Sequence, residues 1–230
     1  NVPGVLRKKE ESGLDEFIVW LKSKDYTVHF QVHEVSNYGV PQHRKRFTLI
    51  ANRITKVEVE PVVRIGKKVT VRDVLGIKNG FPKVSQGHKD ETDFLHSVAG
   101  LNVLNLERLN LTPKDGGTRM AYVNDKRLAP PCHYRKVDGF KDIYGRMWWD
   151  KPAPTITTKF FSFSNGRFGH PEENRAISLR EGATLQSFPL TYKFIGTSTS
   201  NIARMIGNAV PPKYATAIGK AIIQNHKNAI

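Results

Sequence analysis

The feature that most constrains this chain is a change of local character made twice along its length, periodic at both ends and aperiodic through the middle. Near the start, Leu14, Phe17, Ile18 and Leu21 recur at helical spacing, with Lys22 and Lys24 in the last turn, where cations suit the helix dipole. Two β-prone runs follow, 27–35 and 47–51, separated by the turn chemistry of Ser36-Asn37-Tyr38-Gly39-Val40-Pro41. Helix, strand, loop, strand predicts part of an α/β sheet. From Val57 to about Pro171 the pattern dissolves into short β-prone pieces rich in Gly and Pro, with one helical stretch at 102–111, which predicts a separate, irregular, β-containing domain. Regularity then returns. Ser178-Leu179-Arg180-Glu181 has capping-box spacing, opening a helix to about Gln186. A short helix over 201–206 is expected to stop at Gly207 in a left-handed cap. After Pro211-Pro212, a final helix shows Tyr214, Ala217, Ile218, Ala221 and Ile222 on one face.

Composition narrows the function. The 36 Lys and Arg against 21 Asp and Glu give a formal charge of +15, the footprint of a polyanion binder, with nucleic acid the leading partner. Residues 114–167 carry eleven of those cations against five Asp, interleaved with Tyr122, Tyr134, Tyr144, Trp148, Trp149, Phe160, Phe161 and Phe163. Basic residues among aromatics compose a nucleic-acid-facing surface, although several of these rings must be core. The single cysteine, Cys132, excludes an internal disulfide and the usual cysteine-based zinc clusters, and neither His43 nor His133 has a partner at ligand spacing, so no metal is expected. No apolar run is long enough to span a bilayer and Asn1-Val2-Pro3-Gly4 lacks signal-peptide zones, so a cytoplasmic location and no membrane partner are expected.

Three segments carry a more specific message through their order. The first is Tyr38-Gly39-Val40-Pro41-Gln42-His43-Arg44-Lys45-Arg46. The second is Asn174-Arg175-Ala176-Ile177-Ser178-Leu179-Arg180-Glu181, continuing through Leu185-Gln186-Ser187-Phe188-Pro189. The third is Ile206-Gly207-Asn208-Ala209-Val210-Pro211-Pro212. In this order they resemble the late motifs of the DNA (cytosine-5)-methyltransferase family, the first looking like its Gln-x-Arg-x-Arg motif at the head of a strand. Asn1-Val2-Pro3-Gly4 resembles the tail of the family's Glu-Asn-Val motif. The expectation is a C-terminal portion that lacks the catalytic glutamate, the Pro-Cys nucleophile and the glycine-rich cofactor turn.

The resemblance implies a fold of the α/β class: the C-terminal part of an S-adenosylmethionine-dependent, Rossmann-like methyltransferase domain. Residues 1–62 and 172–230 would belong to that domain, and 63–171 would form an inserted target-recognition domain. Its partners would be double-stranded DNA and the N-terminal half of the enzyme. In the family a thiolate adds to C6 of cytosine, making C5 nucleophilic toward the methylsulfonium, and negative charge develops across the ring. Guanidinium groups stabilise such charge with directional donors that do not titrate. Arg44 and Arg46, two apart, are expected on one strand face. On spacing alone they read as ordinary solvent-facing cations; the ordered trio gives them a site, with Arg46 at the extruded base and Arg44 and Gln42 bracing it. Asn208, with the backbone at Ala209 and Val210, would line the S-adenosylmethionine pocket. Trp149-Asp150-Lys151-Pro152-Ala153-Pro154-Thr155-Ile156-Thr157-Thr158 resembles the end of the recognition domain, which makes Thr155 and Thr157 candidates for the DNA backbone; a plain strand with Thr on its polar face fits equally well. Arg175 and Arg180 are expected to reach DNA phosphate or brace the domain interface. Pro131-Cys132-His133 looks like a Pro-Cys nucleophile, but its position after the Gln-x-Arg-x-Arg segment argues against that role and leaves Cys132 as a small packed or surface residue.

Overall fold

The computed structural model describes residues 4–7, 9–64, 66–129 and 142–229, so Cys132 and His133 lie outside the described residues. Among these residues are helices α1 (Gly4–Arg7), α2 (Lys9–Ser12), α3 (Leu14–Ser23), α4 (Val103–Leu111), α5 (Leu179–Leu185), α6 (Thr199–Asn208) and α7 (Pro212–Lys227), and strands β1 (Thr27–Glu34) and β2 (Lys45–Asn52). The strands pair antiparallel, with Thr27 opposite Asn52 and Glu34 opposite Lys45. Between them a 3₁₀ turn, Val35–Tyr38, ends at Gly39, whose φ of 79° lies in the left-handed region that favours glycine.

Most of the periodic residues pack as expected, but Phe17 of α3 and Ile222 of α7 are exposed. Leu14, Ile18 and Leu21 of α3 bury against Val28 and Phe47 of the ribbon. Phe17 and Trp20 stack at 6.0 Å on the outer side of the same helix and remain exposed. Tyr214 of α7 closes a second cluster with Val35, Tyr38 and Val40, so α7 holds the β1–β2 connection.

The middle region departs from expectation. Among the described residues it contains no continuous strand; only isolated bridges occur, joining Gln42 to Ala153, Arg146 to Gly169 and Gly169 to Ala176. Buried arginines take over part of the task of satisfying its carbonyls. Arg146 donates from Nε to Thr112, from Nη1 to His170 and Glu173, and from Nη2 to Leu109, all at backbone oxygens 2.6 to 3.0 Å away. Arg167 similarly reaches the carbonyls of Gly116 and Arg146 at 2.9 and 3.0 Å.

The largest core crosses from this region into the C-terminal helices. Val71, Leu75, Phe81, Met147, Ile156 and Phe160 pack with Leu179, Ala183 and Leu185 of α5 and Ile202 and Ile206 of α6. Gly182 makes that contact possible, since a Cβ there would stand 2.1 Å from Phe160 Cε2.

Candidate active site

The site begins with Gln42, which sits just before β2 and is fully buried. Its Nε2 donates to Gln186 Oε1 at 2.7 Å and to the Leu185 carbonyl at 3.2 Å, while its Oε1 accepts the Ile156 N–H at 3.0 Å. Gln186 passes the connection on, donating to the Ile206 carbonyl at 2.7 Å. Two side-chain amides therefore tie the head of β2, the 153–156 segment, the end of α5 and the end of α6 into one unit. An amide suits this position because a single side chain must donate and accept at once.

Arg44 extends the node. It lies one residue before β2, with Nη1 on the Ile156 carbonyl at 2.6 Å and Nη2 on the Gly207 carbonyl at 2.7 Å. Its own N–H is held by Glu34 Oε1 at 2.8 Å. Arg46, the first inward residue of β2, is placed differently. Its one described hydrogen bond runs from Nη1 to the adjacent Lys45 carbonyl at 3.0 Å, and its Nε is buried with no partner. Burial holds this guanidinium below the usual arginine range. Glu34, His43, Arg44, Lys45, Arg46 and Thr155 together line an open cleft of about 440 Å³. The two arginines share this cleft and both leave a buried Nε without a partner, but Arg44 uses both terminal nitrogens on carbonyls whereas Arg46 uses only Nη1, so its Nη2 is left over.

Thr155 and Thr157 are exposed on the opposing segment. Thr155 Oγ1 donates to the His43 carbonyl at 2.7 Å, which fixes the wall of the cleft, while the backbone there is stitched by His43 N–H to the Ala153 carbonyl at 2.8 Å.

Two expectations need correction. Gly207 is not a left-handed cap: α6 runs through it to Asn208 and is capped at Ala209 with φ −62°. What requires glycine is close approach, because a Cβ at Gly207 would lie 2.5 Å from the Thr157 carbonyl carbon and oxygen. Second, Arg175 and Arg180 do not face outward as phosphate contacts. Arg175 is fully buried and uses its N–H groups on Glu181, Glu173 and the Ala176 carbonyl, at 2.7 to 3.1 Å. Arg180 donates to the carbonyls of Phe94, Asp93 and Tyr192 at 2.6 to 3.0 Å. Both braces are interior, and their donors are consumed there.

The Ser178 capping box stands as the spacing predicts: Ser178 Oγ accepts the Glu181 N–H at 3.1 Å and Glu181 Oε2 accepts the Ser178 N–H at 2.7 Å. Burial alone would raise the Glu181 carboxyl, but hydrogen bonds and charge from Arg175 outweigh it and hold it down at about 2.

Asn208, Ala209 and Val210 follow Gly207 at the end of α6. Asn208 is exposed and its amide has no partner among the described residues, so donor and acceptor both remain for a ligand. Sequence reasoning missed Gln186 and Glu34. Their signal was weak: nothing in a Leu-Gln-Ser or His-Glu-Val triplet announces a contact made more than a hundred residues away or through a turn.

The C-5 cytosine-specific DNA methylase family model matches residues 1–224. The chain is 38% identical over 227 residues to the type II methylase M.HgiDII of Herpetosiphon aurantiacus, covering 96% of this chain and 62% of that protein. It is 31% identical over 223 residues to the type II methyltransferase M1.BsuMI of Bacillus subtilis, covering 93% of this chain and 47% of the relative. It thus spans between about half and three fifths of the length of these relatives. Among solved structures, a protein described as a prophage-encoded DNA modification methyltransferase (E. coli) superposes with TM-score 0.69 at 21% identity, over 99% of this chain and 68% of that one. The Entamoeba histolytica methyltransferase EhMeth superposes with TM-score 0.56 at 13% identity, over 94% and 59%. These likenesses show a methyltransferase fold.

Proposed function

The chain belongs to the C-5 cytosine-specific DNA methylase family, and from that premise we propose that it is the C-terminal part of a DNA (cytosine-5)-methyltransferase, binding duplex DNA and helping to hold an extruded cytosine. In this reading residues 1–62 and 172–230 complete an S-adenosylmethionine-dependent domain and 63–171 form the inserted target-recognition domain. An N-terminal polypeptide supplies the thiol and the glutamate, and the place of action is the cytoplasm.

The observation that carries the reading is the unequal use of the two arginines. Both terminal nitrogens of Arg44 are committed, to the Ile156 and Gly207 carbonyls, whereas Nη2 of Arg46 has no described partner in the cleft shared with Thr155. A preorganised cation with spare N–H groups suits a base edge or phosphate on which negative charge develops. The Gln42–Gln186 node and Arg44 hold it by fixing the walls. Asn208, exposed and without a described partner, fits one wall of a cofactor pocket, with Ala209 and Val210 beside it. S-adenosylmethionine would supply the methyl group when bound; this chain's residues would orient it and the base.

The test is tritium transfer from labelled S-adenosylmethionine to duplex DNA, by this chain alone and mixed with an N-terminal family segment bearing the Pro-Cys and Glu-Asn-Val motifs. Transfer in the mixture only, lost by roughly 10²-fold or more with Arg46→Ala, is the expected result. Transfer by the chain alone, or silence in the mixture while DNA still binds, would overturn it.

A further inference from the structure

A second cleft, of about 380 Å³, is lined in part by residues 158–161 of the same segment that brings Thr155 to the first. Thr158, Lys159 and Phe161 form one wall, and Ser198, Ser200, Asn201 and Arg204 of α6 and its cap form the other. Its cations come from two separate elements. Lys159 and Arg204 are both exposed, neither side chain has an ion-pair or hydrogen-bond partner among the described residues, and no carboxylate lines the cleft. Around it are hydroxyls that can donate, at Thr158, Ser198 and Ser200, Ser198 Oγ also accepting the Asn201 N–H at 3.2 Å.

Its position relative to the first cleft is fixed. Gly207 seats α6 against Thr157, and Arg44 clamps the Ile156 and Gly207 carbonyls together. Thr155 lines one cleft and Lys159 the other, four residues apart, so the two lie within about 14 Å along the segment. That is the span of a few nucleotides of one strand.

We propose that the Lys159–Arg204 cleft is a discrete phosphate subsite, holding the backbone of the nucleic-acid strand that presents its base at Arg46 and setting how far along that strand the chain is registered. The inference rests on the reading of this chain as a DNA binder. Two cations without described side-chain partners, brought to one cleft by different elements and accompanied there by hydroxyls, suit the tetrahedral acceptors of a phosphodiester. They carry register rather than sequence, since phosphate contacts position a protein without reading bases.

The experiment measures equilibrium binding of a fluorescent duplex by this chain over a range of KCl concentrations. It compares wild type with Lys159→Gln, Arg204→Gln, the double variant, and Lys227→Gln as a cation away from the cleft. Each cleft variant is expected to make the slope of log K against log salt shallower by about 0.9, the double by about 1.8, with Lys227→Gln unchanged. Because both side chains are exposed and without described partners, thermal midpoints should match wild type, which separates binding from misfolding. A scan of single methylphosphonate linkages should find one neutral position that weakens wild type but not the double variant. Slopes equal to wild type in the cleft variants, or no such position, would overturn the subsite and leave the DNA-binding reading standing. A wild-type chain with no salt-dependent duplex binding would overturn both.

Discussion

Arg44 donates to the Gly207 carbonyl at 2.7 Å across 163 residues of sequence, joining the head of β2 to the end of α6. The same guanidinium holds Ile156, so one side chain fixes three segments. Arg44→Ala would strand two buried carbonyls. The expected loss is roughly 3 kcal/mol of stability, read as a lowered urea midpoint. Arg46→Ala, which removes one bond to a neighbouring carbonyl, should cost under about 1 kcal/mol and instead weaken DNA binding. Equal destabilisation by the two would contradict the division of labour.

Gln42→Glu preserves shape but cannot donate. It would set a carboxylate against Gln186 Oε1 and the Leu185 carbonyl, both acceptors. A loss of about 1–3 kcal/mol is expected, more at pH 8 than at pH 5, where protonation restores a donor. A pH-independent loss would mean the amide's donors are not what the position needs.

Gly207→Ala should destabilise by at least 1–3 kcal/mol, because its methyl cannot be accommodated 2.5 Å from the Thr157 backbone. Asn208 and the Lys159 cleft would shift with it. A thermal midpoint unchanged from wild type would show that α6 can slide at no cost.

Acid should weaken the fold through His170. Its Nδ1 accepts the Glu172 and Glu173 N–H groups, at 3.2 and 2.9 Å, and burial pushes its pKa down to about 4. Below about pH 6.5 the unfolded chain takes up a proton that the folded chain refuses until pH 4, so stability falls across that window as pH falls. Glu181, held near 2 by Arg175, adds a loss that begins below its unfolded value near 4.5. Urea midpoints at pH 7.0, 5.5 and 4.5 should decline for wild type and flatten between the first two for His170→Asn.

Much of the frame was legible because its signals are local. Helical spacing placed α3, α4 and α7, and the Ser178–Glu181 pair placed the start of α5 to the residue. Gly207 was read as a cap because glycine at a helix end commonly is one; the approach of Thr157, fifty residues earlier, has no trace in the local sequence. Arg175 and Arg180 look in sequence like any basic residues, and only the convergence of Glu173, Glu181 and four carbonyls makes them interior. For Gln42, the motif named the residue and the fold supplied Gln186.

The arginine-braced middle region has a consequence for how such a chain diversifies. Arg146 alone gathers carbonyls from 109, 112, 170 and 173, so the backbone is fixed at a few points rather than along continuous ladders. Between fixed points, lengthening a surface loop costs only chain-closure entropy, about 0.6 kcal/mol per doubling. A region built this way can exchange its exposed loops while its anchors stay put, so insertions and deletions there do not require the scaffold to be refolded around each.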